Sequence, residues 1–395
     1  MQKEDYLLLF LVAFYVLDPF TYGFLFGYAV LAFLLLYFSK AIKLFDTTLL
    51  ILFLFSIVYA LFYSFNPGLG AQFILIYSIV PGALYLSGKW LRIRTDNIGS
   101  FWILILLGFV YSVPAIISIL KFINENGFVS VKRDVPNIWT GELLSATNMA
   151  SAFALNMCIP GIFIIGNKII KYKLTYIVLT GVYLVSIICV FRLGSRTQLA
   201  LSIFSVVIAL IFKVSKQNLR QNFVTFVIIF IALNGLLSYF SFDTETDLLS
   251  AYADRMDSKT HGVATAGGRT NKWEKSIIYM FKEPLGWELK EFGFAHNLWF
   301  DATRVGGVIS LILLLAFTLR SSKVMMRLFS LNKRISLLDG QLLLYLSCFF
   351  LSFFVEPILE GYFILFSLFC FIVGFSHSHI GKSNSRKITP NQSVI

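Results

Sequence analysis

The chain has 395 residues, of which 57% are hydrophobic, only 14% are charged and 42 are Phe. Soluble domains run at about 45–50% apolar and about 25% charged, so this composition excludes a water-soluble fold. With a mean hydropathy of +0.78 it points to a polytopic membrane protein. Only 9 Pro and 26 Gly exclude disordered and collagen-like chains. Cys158, Cys189, Cys348 and Cys370 lie in apolar runs with no CxxC pair, and so read as small hydrophobes. The net charge of +12 is expected to follow membrane orientation and not nucleic acid.

A helix needs about 20 mostly apolar residues to cross a bilayer. In chain order, the sequence predicts twelve spans, near 5–18, 20–38, 47–65, 71–88, 99–120, 147–166, 174–191, 197–213, 222–240, 296–318, 340–356 and 358–376. The first is short and is broken from the second by Asp18-Pro19. Glu4 and Asp5 spoil the basic start of a signal peptide, so these two spans are read as a helical hairpin.

Alternate loops collect the basic residues. With the N-terminus inside, the inner loops hold 20 of the 33 Lys and Arg, from Lys3 and Lys40 through Lys89, Arg92, Lys213 and Arg327 to Arg386 and Lys387. Only Glu4, Asp5, Asp46, Asp96 and Asp339 accompany them. The expected fold is therefore an all-α integral membrane protein with about twelve transmembrane helices and both termini cytoplasmic.

Spans one to nine would fill residues 1–240, with an outer loop at 121–146. A large outer loop follows at 241–295, then spans ten to twelve at 296–376 and a basic cytoplasmic tail at 377–395. Within the large loop, Asn271 and Glu274 resemble a capping box. Trp273, Ile277 and Phe281 then share a helical face, and Pro284-Leu285-Gly286 ends it. That pattern predicts an amphipathic helix lying on the membrane interface.

Four groups have side chains suited to chemistry. Arg192 and Arg196 would share a face at i,i+4 if their helix is continuous. Like charges there repel, and an anion held between two guanidinium groups would relieve the repulsion. Two interfacial arginines snorkelling to headgroups would look the same. Gly267-Gly268-Arg269 precedes the amphipathic helix, suiting an anion at a helix N-terminus or a plain flexible turn. His296, in Phe294-Ala295-His296-Asn297, is placed for a general base or for a hydrogen-bonded cap. Asp301 and Arg304 follow at i,i+3 and are expected to pair; Arg304 is expected two turns from His296 on the same face.

The last group comprises Asp18, Lys132, Arg133, Asp134, Glu356 and Glu360 on the outer face; the two glutamates, in a tight outer turn, are either site candidates or simply solvated. Trp139 is either a sugar-stacking wall of a glycan groove or an interface anchor. No Walker A loop, GxGxxG, HExxH or outer acidic cluster at metal spacing occurs, so no metal or cofactor is expected.

These residues, in this order, resemble the bacterial O-antigen polymerase and O-antigen ligase superfamily. Ser195-Arg196-Thr197-Gln198-Leu199 looks like its Arg-x-x-Leu stretch. Gly268-Arg269, Trp273 and Pro284-Leu285-Gly286 look like its loop segment, and His296-Asn297 with Gly307 looks like its His-x10-Gly entry to the next span. The resemblance covers about 190–320; the first half of the chain matches only in span count.

What the resemblance implies is periplasmic glycan transfer from an undecaprenyl-diphosphate-linked donor at the inner membrane. The acceptor is a lipid-linked repeat unit for a polymerase, or lipid A–core for a ligase. Arg196 and Arg269 would hold the diphosphate, with Arg192, Arg304, Asn297 and Trp139 as further substrate contacts. His296 would activate the acceptor hydroxyl or bind the diphosphate. Membrane lipids and a chain-length regulator are the other expected partners. The reading leans to polymerase. A lipid-linked oligosaccharide flippase is the rival from another class, but it should carry its charges in a central cavity and needs no long outer loop.

Overall fold

The computed structural model describes residues 1–68, 70–128, 133–166, 173–227, 269–331 and 336–388. Most of the predicted ninth span and Lys132, Gly267 and Gly268 lie outside the described residues.

The described chain is helical apart from one two-stranded ladder. Its elements are α1 (Lys3–Leu17), α2 (Gly23–Leu36), α3 (Phe38–Ala41), α4 (Thr47–Tyr63), α5 (Gln72–Arg94) and α6 (Asn97–Asn126). After β1 (Val135–Pro136) and β2 (Leu143–Leu144) come α7 (Ala146–Ser151), α8 (Ile159–Gly166), α9 (Lys173–Leu193) and α10 (Arg196–Val214). The chain continues with α11 (Arg269–Lys282), α12 (Leu298–Ser330), α13 (Leu337–Val355), α14 (Ile358–Gly361) and α15 (Phe363–Ile388).

Seven of these, α5, α6, α9, α10, α12, α13 and α15, are long and apolar enough to cross a bilayer. The α2 segment, bent by 86° at Tyr37, makes an eighth candidate with the turn that follows it. The protein is membrane-embedded on this ground. Exposed Phe10, Leu36, Phe53, Leu61, Ile177 and Ile203 face outward from the bundle, where a lipid environment makes their exposure favourable.

Small residues set the closest packing. Gly88 of α5 and Gly374 of α15 lie against the backbones at Phe371 and Tyr85, and a Cβ at either would overlap a carbonyl. In lipid, helices gain little from hydrophobic exclusion, so such close approach drives association. Gly161 of α8 lies in the same way against Ser205 of α10. Polar side chains that cap helices include Asp46 for α4, which accepts from the Leu49 amide at 2.9 Å, and Asp96 for α6, which accepts from Gly99.

Several expectations change. The predicted continuous helix at 147–166 is broken between Ser151 and Ile159. Pro160 in an unbroken helix would clash with the carbonyl one turn earlier; placed second in a new helix, its missing N–H costs nothing. The buried interruption is held by Asn156, whose amide donates to Ser112 and Ser186 at 2.9 Å each. Loop 121–146 is shorter than expected because α6 runs on to Asn126. Nor is 377–388 a tail: α15 continues to Ile388, with Ser378 and His379 buried.

Candidate functional site

The ends of the helices gather into two polar clusters. One contains Arg92, Asp339 and His379 with Asp46 and Lys89; the other contains the residues singled out around Arg269. At the second end the α9–α10 junction comes first. Gly194 has φ +58, a conformation open to glycine, and α9 stops at Leu193 while α10 restarts at Arg196. Arg192 and Arg196 therefore do not share a helix face. Arg192 is 1% exposed, with its guanidinium over the Phe122 ring at 4.9 Å. Arg133 holds the junction, donating to the Leu193 carbonyl at 2.7 Å and 3.1 Å.

Thr197, beside Arg196, donates to Glu356 Oε1 at 2.9 Å. Arg269 approaches the same oxygen at 3.9 Å. The starts of α10 and α11, some 70 residues apart in sequence, thus meet on one carboxylate at the end of α13. Glu356 is 2% exposed, so it is a buried carboxyl group between the arginine-bearing segments and not a solvated turn residue.

Helix α11 is the predicted amphipathic helix, starting by Arg269, so Asn271 lies inside its first turn and not at its cap. Ile277 and Phe281 are exposed. Trp273, at the start of that same face, and Lys272 beside it clasp the segment before α12. Lys272 donates to the Phe294 carbonyl and Trp273 Nε1 to the Ala295 carbonyl, both at 3.0 Å. From the opposite side, Asp301 accepts from the amides of Ala295 at 2.7 Å and Asn297 at 3.1 Å. His296 is pinned between these anchors with φ +55, a left-handed conformation that must be imposed by its surroundings.

Burial, then the charges of Arg269 and Lys272, push the His296 pKa down to about 4. Its imidazole is neutral at physiological pH, and its Nδ1 has no hydrogen-bond partner among the described residues. Asn297 caps α12, its side-chain oxygen accepting from Trp299 and Phe300; that oxygen serves the helix. Asp301 and Arg304 do not form the expected pair. Asp301 is taken by the backbone, and Arg304 pairs with Glu360 on α14, with its guanidinium 5.6 Å from the Phe294 ring centre.

The Gly307 position has a structural cause. Its φ is +65, inside α12, and a Cβ there would lie 2.7 Å from the Pro284 carbonyl. At this kink the Val308 amide donates to Pro284 and the Arg304 carbonyl accepts from Trp287, both at 2.9 Å. The Pro284-Leu285-Gly286 turn is thereby bonded into the break, with Gly286 at φ +114.

A cavity of about 410 Å³ adjoins this cluster, between α1, α6, α7, α14 and the β1–β2 turn. Trp139, Asp18, Glu142, Asn148, Glu360 and Tyr362 are among its walls. Trp139 is set by an Asx turn, its amide donating to Asn137 Oδ1 at 2.7 Å, while the Ile138 amide donates to Ser118 of α6. Burial raises the Asp18 carboxyl pKa, partly offset by the Gly23 amide it accepts from. Tyr362 links cavity and cluster: burial, then the Glu356 charge, raise its hydroxyl pKa, and Arg269 lowers it.

The arrangement brings Arg269, His296 and the start of α10 together. Sequence reasoning undervalued Glu356, Glu360 and Lys272. The available signal was two glutamates in a tight Glu-Pro-Ile-Leu-Glu-Gly turn between apolar runs, and a lysine three residues after Arg269 on the same helical face. Chemically, clustered cations can neutralise a polyanion, and a neutral imidazole can take up a proton. In comparisons with known proteins, no family model matches the chain and no curated protein matches it.

Proposed function

We propose that the protein is a glycosyltransferase of the bacterial inner membrane that polymerises O-antigen-type surface polysaccharide. Its donor would be an undecaprenyl-diphosphate-linked oligosaccharide, and its acceptor the next lipid-linked repeat unit. In this reading the chain crosses the bilayer twelve times with both termini cytoplasmic, and the Arg269 end faces the periplasm. The observation that carries it is the meeting of Thr197 and Arg269 on Glu356, with a neutral His296 inside the field of Arg269.

The acceptor hydroxyl attacks the anomeric carbon of the donor glycan. A new C–O bond forms, the anomeric C–O bond to the diphosphate breaks, and undecaprenyl diphosphate departs with the electron pair. Arg196 and Arg269 neutralise the charge that grows on the leaving group. His296 takes the hydroxyl proton as the nucleophile attacks. Holding the two lipid-linked chains at one membrane face supplies the proximity.

The test is lipopolysaccharide gel analysis of a deletion strain complemented with wild type, Arg196→Ala or His296→Ala. Core bearing a single repeat unit in the deletion strain supports polymerisation, and both variants should fail to restore the ladder. Bare core with carrier-linked polymer would make the protein the ligase instead. An unchanged ladder would sink both readings and return the flippase to the lead.

A further inference from the structure

Resting on that reading, the cavity beside the arginine cluster has walls of a different character from the cluster itself. Carboxylates of Asp18, Glu142 and Glu360 line it, with the amides of Asn137 and Asn148. Among the described residues, no Lys, Arg or His lines it. Of the three carboxylates only Glu360 has an ion-pair partner among the described residues, Arg304. An aromatic face is supplied by Trp139, whose ring lies 5.0 Å from that of Phe20. The indole Nε1 of Trp139 is buried and has no hydrogen-bond partner among the described residues.

With no cation in this lining among the described residues, a diphosphate is drawn to the arginines instead, so the two halves of a lipid-linked glycan are sorted by charge. Acceptor carboxylates and amides match sugar hydroxyls and amines, and a tryptophan face suits the apolar face of a pyranose. A cavity of about 410 Å³ is in the range of small-ligand pockets, about 300–1,000 Å³. We propose that this cavity is a saccharide subsite selective for neutral or amino-bearing sugar units, which excludes units carrying a carboxylate such as uronic acids. The discrimination is electrostatic, since like charges brought together in a partly desolvated wall are strongly disfavoured.

The experiment uses the full-length protein in lipid nanodiscs. It is titrated with three disaccharide probes matched in size: a neutral one, an amino sugar and a uronic acid, with intrinsic fluorescence and calorimetry as readouts. The neutral and amino probes should bind, and the uronic acid should bind at least about tenfold more weakly. Trp139→Ala should abolish saccharide binding. Glu142→Lys, at an exposed turn position, should narrow the discrimination against the uronic acid even if Trp139→Ala does not fold. Equal or tighter binding of the uronic acid overturns the proposal. So does unchanged discrimination in Glu142→Lys, or no binding of any probe. These readouts need no catalysis: lost charge selectivity with intact Arg269-dependent transfer would refute this subsite alone, whereas transfer that survives Arg196→Ala and Arg269→Ala would refute the enzymatic reading alone.

Discussion

The two polar ends of the bundle use similar residues in opposite ways. At one end, buried Arg92 is saturated: it donates to the Thr95 carbonyl at 2.8 Å, to Asn97 at 2.6 Å and to His379 Nδ1 at 3.1 Å. His379 Nε2 in turn reaches Asp339 at 2.5 Å, so Nδ1 accepts and Nε2 donates. Nearby, Lys89 meets Asp46 at 2.6 Å and the Leu44 carbonyl at 2.6 Å. At the other end, Arg269 stands 3.9 Å from Glu356, and among the described residues His296 keeps a ring nitrogen without a partner. Closed charge networks tie α5, α13 and α15 together. A long ion pair beside an unused imidazole leaves room for an incoming anion and a proton.

That contrast is broken or sharpened by substitution. Arg92→Ala leaves buried polar partners uncompensated, and thermal unfolding in detergent should show a loss of about 3–5 kcal/mol. Arg269→Ala should cost less than Arg92→Ala, because its side chain is 26% exposed, its pair is long and Thr197 still donates to Glu356. Its transfer activity should fall about 10²–10³-fold. If Arg269→Ala unfolds the protein while Arg92→Ala leaves it stable, the assignment of roles to the two ends is reversed.

The pH dependence gives a smaller effect. The folded His296 value of about 4 lies below that of a free imidazole, about 6.5, so the unfolded chain binds more protons between them. The contribution is fully present above about pH 6.5 and is lost as the pH falls towards 4. Unfolding temperatures compared at pH 7.5 and pH 5 should differ less in His296→Gln than in wild type. Smallest is Asn297→Ala, which removes the α12 cap and should cost about 1 kcal/mol; no change would mean the cap does not hold His296.

Local features were legible in the sequence because their causes are local. The face of Trp273, Ile277 and Phe281 and the Pro284 stop specify α11 within a few residues of its observed ends. Apolar runs likewise located most long helices. What escaped depended on partners far along the chain. Arg304 lies three residues from Asp301, yet its partner is Glu360, because Asp301 is taken by the amides of Ala295 and Asn297. Arg192 and Arg196 looked like one helix face, and a single glycine with positive φ separates them. No periodicity reports that Glu356 is buried beneath Arg269.

The exchange of hydrogen bonds at Gly307 has a consequence for how this chain can vary. The bond that a continuous helix would make from Val308 to the Arg304 carbonyl is replaced by two others, one to Pro284 and one from Trp287. Both new bonds close the same ring of chain, with His296 inside it. Adding or deleting one residue between Pro284 and Trp287, or between Arg304 and Val308, would put one bond out of register with the other, so the lengths of these two short stretches are fixed together.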